Sequence, residues 1–189
     1  MLKTLLIPSY VHMLKALSEW LGRADEAAAE SDASGDAVLA ARLAPDMFPL
    51  STQIRFTCMQ ALEGVSRMRG KAFPPAIATL LSEGREAGEQ PGTIAGARAR
   101  IAETLAALEQ DAARDFVYDP QMPIAHELPN GMIFDLTAEQ YARDWALPQF
   151  YFHLNTAYAI LRANGVALGK ADYVTHMLPL MRSETMPGG

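Results

Sequence analysis

Apolar side chains recur at steps of three and four residues in four long segments of the chain. The segments are residues 10–28, 49–69, 93–111 and 137–164. Because this spacing collects apolar groups on one face of a helix, it predicts four long amphipathic α-helices. Pro8 fits the first turn of the first helix, where its missing N–H costs no hydrogen bond. Gly70 is the predicted stop of the second helix.

Shorter elements connect these helices. Residues 27–36 are small and polar and predict a loop, after which Asp36 is a candidate cap for a short helix that ends at Leu43. Residues 71–92 contain three prolines and three glycines. We expect one short helix there, over residues 76–83, between two loops.

A hairpin is predicted before the last long helix. Asn130-Gly131 is a strong turn signal, and residues 124–128 and 132–136 are the predicted arms. Thr137 and Gln140 then match a capping box, which predicts the start of the fourth long helix. The whole pattern predicts an all-α fold, a four-helix bundle with a small inserted β-hairpin. We expect a single helical-bundle domain over residues 1–181 and a flexible tail over residues 182–189.

Composition and charge narrow the class of protein. The formal net charge is −6, and no basic stripe is present that would neutralise phosphates, so we expect no nucleic-acid partner. The single cysteine, Cys58, excludes an intramolecular disulfide and a cysteine-rich zinc site, which favours a reducing, cytoplasmic compartment. The N-terminal segment has neither the apolar core nor the cleavage site of a signal peptide. No apolar run reaches the roughly 18 residues of a membrane helix, so we expect no membrane partner.

Two segments carry a resemblance to a known family: ARLAPDMFPLSTQI at residues 41–54 and ALPQFYFHLNTAYAILRANGVALGKADY at residues 146–173. They resemble an uncharacterised domain-of-unknown-function family of the DinB/YfiT-like helical-bundle superfamily. Residues 99–108 resemble the third helix of that family. The resemblance implies a DinB/YfiT-like four-helix bundle of up-down-down-up topology, often dimeric. The superfamily includes metal-binding members with a histidine triad and thiol-dependent transferases, whereas the family itself has no assigned reaction.

Polar residues recur every seven positions along the second helix. Asp46, Gln53 and Gln60 share one edge beside the apolar stripe, with a drift of only about 20° per heptad. Asp46 is also a candidate cap for the helix that begins near Pro49. For Gln53 a structural contact and a ligand contact are equally good interpretations, and Gln60 is expected on the surface.

His153 is the one histidine that we expect deep in the fold, on the fourth helix. A core histidine with a hydrogen-bond partner is one interpretation, and a proton-transfer or ligand-binding histidine is the other. Tyr151 has the same two interpretations, as a core side chain or a hydrogen-bond donor to a ligand. The candidate ligand-binding residues are therefore Asp46, Gln53, Tyr151 and His153, in a pocket between helices two and four.

A metal centre is a weaker alternative. His12 should face away from the core, His126 lies on the predicted hairpin, and His176 lies near the tail. A site would have to use His153 with Asp144, which stand about half a helical revolution out of phase unless Pro148 bends the helix. We therefore predict no cofactor, with a divalent metal as the open alternative.

The fourth helix also has an apolar outer face. Trp145, Phe152 and Ala159 lie opposite its main stripe, which favours a homodimer contact, although the hairpin is an alternative cover. Three hypotheses for function follow. The first is a small-molecule-binding or stress-related dimeric module. The others are a metal-dependent transferase or hydrolase and a purely structural dimerisation module.

Overall fold

Four long helices form a bundle in the part of the chain that the structure describes. The computed structural model describes residues 2–30, 34–114 and 119–182, so the predicted tail lies outside the described residues except for its first residue. Three long helices are continuous: α1 (Leu2–Ala29), α2 (Leu50–Met68) and α4 (Ile94–Ala113). Helices α1 and α2 each pack against α4 and against the last helix, and the predicted all-α bundle is confirmed.

The last long helix consists of three consecutive pieces. They are α5 (Ala138–Gln140), a π-helical turn (Tyr141–Ala146) that we call the π-turn, and α6 (Leu147–Ala163). The Leu147 N–H donates to the Ala142 carbonyl, five residues earlier. Pro148 has no N–H for the carbonyl four residues before it, so the wide turn stands where the α-helical ladder would be interrupted.

Short elements complete the fold. Helix α3 (Pro75–Glu86) packs against α2, and α7 (Lys170–Tyr173) follows α6. Two 3₁₀ helices span Gly35–Ala40 and Thr175–Leu180. None of the described helices combines the length and apolar content that crossing a lipid bilayer requires.

The first helix starts earlier than the sequence pattern predicts. It begins at Leu2 and carries Pro8 in its interior. Leu6 and Ile7, upstream of the proline, are buried in the main core. Burial of these two side chains stabilises the extra turns and offsets the hydrogen bond that Pro8 cannot donate, a contribution that the local pattern does not reveal.

Asp36 does not cap the short helix that follows it, and its carboxylate binds the start of α4, whose own cap is Thr93. The cap of the Gly35–Ala40 3₁₀ helix is Ser34, whose hydroxyl accepts a hydrogen bond from the Asp36 N–H. The Asp36 carboxylate instead accepts from the Ile94 N–H at 2.7 Å, at the start of α4. A negative side chain at a helix N-terminus is favourable, so Asp36 joins two segments that lie 58 residues apart.

The hairpin and its capping box are confirmed. Strands β1 (Pro123–Glu127) and β2 (Ile133–Thr137) pair antiparallel, with His126 opposite Phe134. Gly131 closes the turn at φ +85°, a value that favours glycine. The Thr137 side chain accepts from the Gln140 N–H, and the Gln140 side chain accepts from the Thr137 N–H. This box fixes the direction in which the chain enters the last helix.

Candidate functional site

His153 on α6 and Gln53 on α2 form a hydrogen bond where their helices meet. The distance between His153 Nδ1 and Gln53 Oε1 is 2.8 Å, and both side chains are buried. Gln53 Nε2 donates to the Phe48 carbonyl at 3.3 Å, so the amide oxygen is the atom that faces the ring. Because an amide oxygen only accepts, His153 carries its proton on Nδ1 and keeps a lone pair on Nε2.

The imidazole of His153 is neutral near pH 7. Burial lowers its pKa from 6.5 to about 4. Nε2 has no hydrogen-bond partner among the described residues, and it is not one of their buried unpartnered atoms. Nε2 is therefore in contact with solvent, although His153 as a whole is only 9% exposed. Nε2 is thus a fixed hydrogen-bond acceptor at the protein surface.

Two phenylalanines, Phe56 and Phe152, contact the His153 ring, and a third, Phe48, contacts Phe56. We call these three residues the aromatic rim. The rings of Phe56 and Phe152 each meet His153 edge-on, with centroids 5.3 Å apart. Phe48 lies 5.9 Å from Phe56 by the same measure. Phe48 and Phe152 are 52% and 59% exposed, so the rim presents apolar surface beside a polar nitrogen.

The structure brings together two of the four predicted site residues. Asp46 is exposed in the turn before α2, and it does not cap that helix, since Pro49 occupies the N-cap without a side-chain hydrogen bond. Tyr151 is half-buried and meets Phe150 edge-on at 5.4 Å. Tyr151 also lies close enough to Tyr10 and Tyr173 to affect their pKa values, and both of these residues are on the α1 side of the bundle. Helical phase separates Tyr151 from His153, and the described contact is between Gln53 and His153 alone.

A network of buried polar groups holds the start of α2 in place. Arg55 donates to the Ser51 hydroxyl at 2.6 Å, and Ser51 donates to the Pro91 carbonyl at 2.6 Å. Arg55 also lies 3.5 Å from Glu83, a carboxylate on α3 that Arg100 of α4 binds. Hydrogen bonds from Arg100 are the main cause that lowers the pKa of Glu83. The network joins three helices and so fixes the position of Gln53.

The alternative metal ligands, His153 and Asp144, each have another partner in the structure. Asp144 is exposed and forms a two-point ion pair with its neighbour Arg143, at 2.8 Å for each contact. Among the described residues, no group of three or more histidine, cysteine, aspartate or glutamate side chains is placed to hold a metal ion. The donor set that His153 and Asp144 would need for a metal ion is therefore not formed.

Comparison with known proteins identifies the chain. A family model described as a domain of unknown function, DUF1993, matches residues 2–174, which is most of the chain. The chain belongs to the DUF1993 family. The crystal structure of a DinB family member protein from Shewanella denitrificans is similar, with a TM-score of 0.71 and 32% sequence identity over 92% of each chain. No curated protein matches. This DUF1993 protein is thus a member of the DinB-like helical bundles, as the resemblance implied.

The DUF1993 chain also contains a polar cluster that the sequence did not reveal. It lies between the hairpin, α1, α2 and the π-turn, and its members are Tyr10, Glu63, Arg67, His126, Tyr141 and Trp145. Glu63 accepts from Arg67 at 2.8 Å. Burial strongly raises the pKa values of Tyr10 and Tyr141, and Glu63 adds to both shifts. The cluster thus places a carboxylate among groups that titrate far from their usual ranges.

A sequence signal for this cluster exists on α2. Gln60 is buried, so its expected surface position is wrong. Arg67 follows Gln60 by seven residues, which extends the polar row of Gln53 and Gln60 to the hairpin end of α2. His126 and Trp145 reach the cluster from parts of the chain that only the tertiary fold brings near.

Trp145 occupies the hairpin side of the last helix. Its ring lies 4.4 Å from that of His126 and 6.0 Å from that of Phe134. The hairpin therefore covers this part of the outer face, which is the alternative that the sequence left open. Phe152 remains exposed, so the predicted dimer contact is limited to the part of the outer face of α6 around Phe152.

A separate groove of about 290 Å³ lies between α1 and the C-terminal segment. His12 and His176 stack at its wall, with ring centroids 4.9 Å apart. His12 is exposed, as its helical phase predicts. Burial and the neighbouring His176 lower the pKa of His12. The groove shares no lining residue with the aromatic rim and therefore provides an internal comparison for binding experiments.

Proposed function

We propose that this DUF1993 protein binds a small molecule that has an apolar, preferably aromatic, body and one hydrogen-bond donor. The hydrogen-bond chain from the Phe48 carbonyl through Gln53 to His153 carries this proposal. It fixes the tautomer of a neutral imidazole and leaves Nε2 as an acceptor beside the aromatic rim. Small-molecule sites usually set a few fixed polar atoms among apolar and aromatic side chains.

Phenol is a suitable probe, and anisole is its matched control without the donor. We expect millimolar phenol to shift the NMR signals of the His153 ring and of the Gln53 side-chain amide. Anisole should shift them several-fold less at the same concentration. In the His153→Phe variant the advantage of phenol over anisole should disappear, since an aromatic ring remains at this position but the acceptor nitrogen is lost.

Two further observations would decide against the proposal. One is an equal response to phenol and anisole in the natural protein. The other is a response that maps to the groove beside His12 instead of to the aromatic rim. Phe73→Ala serves as a variant control, because Phe73 is an exposed phenylalanine away from α6.

A metal-dependent transferase or hydrolase remains the second candidate. It is supported by one feature: a histidine whose Nδ1–H is held by an acceptor is typical of metal-bound histidines. The missing partner ligands weigh against it. Elemental analysis of protein purified without chelators and without a nickel column tests it, and a stoichiometric metal that is lost in His153→Phe would support it.

We also propose that the protein forms a homodimer through the outer face of α6. The exposed Phe152 supports this proposal. Light scattering after size exclusion should detect a dimer that Phe152→Ala weakens and Trp145→Ala leaves intact, because the hairpin covers Trp145. A dimer unaffected by Phe152→Ala would remove this interface, and a dimer without any rim ligand would favour a purely structural module.

A further inference from the structure

His126 is a buried side chain whose two ring nitrogens have no hydrogen-bond partner. It is 4% exposed. Glu63 Oε1 lies 3.9 Å from Nδ1, which is too long for a hydrogen bond. A protonated imidazole needs two acceptors for its two N–H groups. The docked hairpin supplies neither acceptor.

The groups that face His126 do not compensate for a positive charge. From α2, Glu63 attracts such a charge, but this carboxylate is already bound by Arg67, which repels it. The π-turn contributes the rings of Tyr141 and Trp145, at 5.3 Å and 4.4 Å from the imidazole. Across the hairpin, Phe134 is the strand partner of His126. None of these groups accepts a hydrogen bond from the ring, so the surroundings favour the neutral imidazole.

Few side chains of the hairpin are fully buried against the bundle, although the partly buried Leu136 and the exposed Phe134 also contact it. On β1 the buried side chains are Ile124 and His126, whereas no residue of β2 is fully buried. Arg67 adds a long hydrogen bond, 3.5 Å, to the Ala125 carbonyl. His126 is thus one of the two side chains by which β1 docks.

We propose that the hairpin is a cover over the Glu63 carboxylate and that proton uptake by His126 releases it. When the hairpin lifts, water solvates the charged ring. When it docks, the ring must be neutral. Undocking also exposes the side of the polar cluster that carries Glu63 and Tyr141. Acid thereby gives solvent or a small polar molecule access to a carboxylate that is otherwise enclosed.

The sign of the pH dependence follows from linkage. Burial lowers the pKa of His126 in the docked state, Arg67 lowers it further, and Glu63 partly opposes them. In the undocked state the pKa returns to about 6.5. Docking is therefore fully favourable above pH 6.5. Below it, the ratio of undocked to docked hairpin rises by up to about tenfold per pH unit, until the docked pKa is reached.

Amide hydrogen exchange of residues 123–137 between pH 7.5 and pH 5.5 tests the proposal. The protection factors, which are corrected for the intrinsic pH dependence of exchange, should fall up to about tenfold over the last unit. The protection factors of α4 should stay constant. At pH 5.5 most carboxylates are still ionised, so they do not contribute.

Matched variants separate His126 from other titrating groups. In His126→Phe the hairpin should stay docked and lose its pH dependence, whereas His12→Gln should behave like the natural protein. NMR titration of the His126 ring gives a second measurement that needs no variant, and its pKa should lie below 6.5. Protection that does not fall in the natural protein would overturn the proposal, as would the same fall in His126→Phe or a ring pKa at or above 6.5.

Discussion

The contact between Gln53 and His153 has a strength that a double-mutant cycle can measure. Gln53→Leu keeps an apolar side chain of similar size on α2 but removes the acceptor for His153 Nδ1–H. A buried donor left without a partner costs about 1–3 kcal/mol. We therefore expect Gln53→Leu to lower the free energy of unfolding by about 2 kcal/mol. For a domain of this size, that corresponds to a decrease in Tm of roughly 4–8 °C.

His153→Phe completes the cycle. Once the imidazole is gone, Gln53→Leu no longer leaves a ring N–H unpaired, so its cost in the His153→Phe background should be smaller by about 1–2 kcal/mol. Urea unfolding of the four proteins at pH 7.5, followed by circular dichroism, measures these differences. The two changes should not affect the slope of the unfolding free energy with urea.

Additive effects would refute this reasoning. If the two single changes sum to the double change within about 0.5 kcal/mol, the side chains do not interact in solution. Gln53 would then not set the tautomer of His153. The proposed acceptor at Nε2 would fail as well.

Three further predictions concern other parts of the fold. The pKa of His153 is lowered to about 4 when folded and is about 6.5 when unfolded, so its stabilising contribution is complete above pH 6.5 and is lost as the pH falls toward 4. Urea unfolding at pH 7.5 and pH 4.5 measures how far the free energy of unfolding decreases between these pH values. His153→Phe should make this decrease smaller by up to ~3 kcal/mol, and an equal decrease in the variant and the natural protein would contradict the prediction. A methyl group at Gly64 would lie 2.7 Å from the Tyr10 hydroxyl, so Gly64→Ala should lower Tm in the natural protein but not in a Tyr10→Phe background. Asp36→Ala should cost about 1 kcal/mol in thermal unfolding because the Ile94 N–H at the start of α4 loses its acceptor, whereas Asp46→Ala, at an exposed turn residue, should cost nothing measurable.

Elements with strong local signals could be predicted from the sequence. Helix α2, the Asn130-Gly131 turn and the box of Thr137 with Gln140 each depend on residues within a few positions of one another. The shorter α3 starts and ends within a few residues of its predicted bounds for the same reason. Two predictions were wrong because contacts between distant parts of the chain decided the structure. They are the first residue of α1 and the helix to which the Asp36 carboxylate binds.

The candidate site was predictable only in part. Gln53 and His153 each stood at the edge of an apolar stripe, which is a local property. Whether Asp46 or Tyr151 joined them depended on the path of the turn before α2 and on the rotation of α6, and these are set by packing. His126 gave no local signal at all, since its burial results from the docking of the hairpin on α2 and the π-turn.

By itself, the sequence determined the helical periodicity, the hairpin and the family to which the chain belongs. These follow from the short-range preferences of residues that are close along the chain. Only the tertiary structure decided which polar side chains meet. The pair of Gln53 and His153 spans 100 residues, and the contact of Glu63 with His126 crosses from a helix to a hairpin. Such contacts are chosen by the packing of whole elements, because a buried polar group must find its partner wherever the core places one.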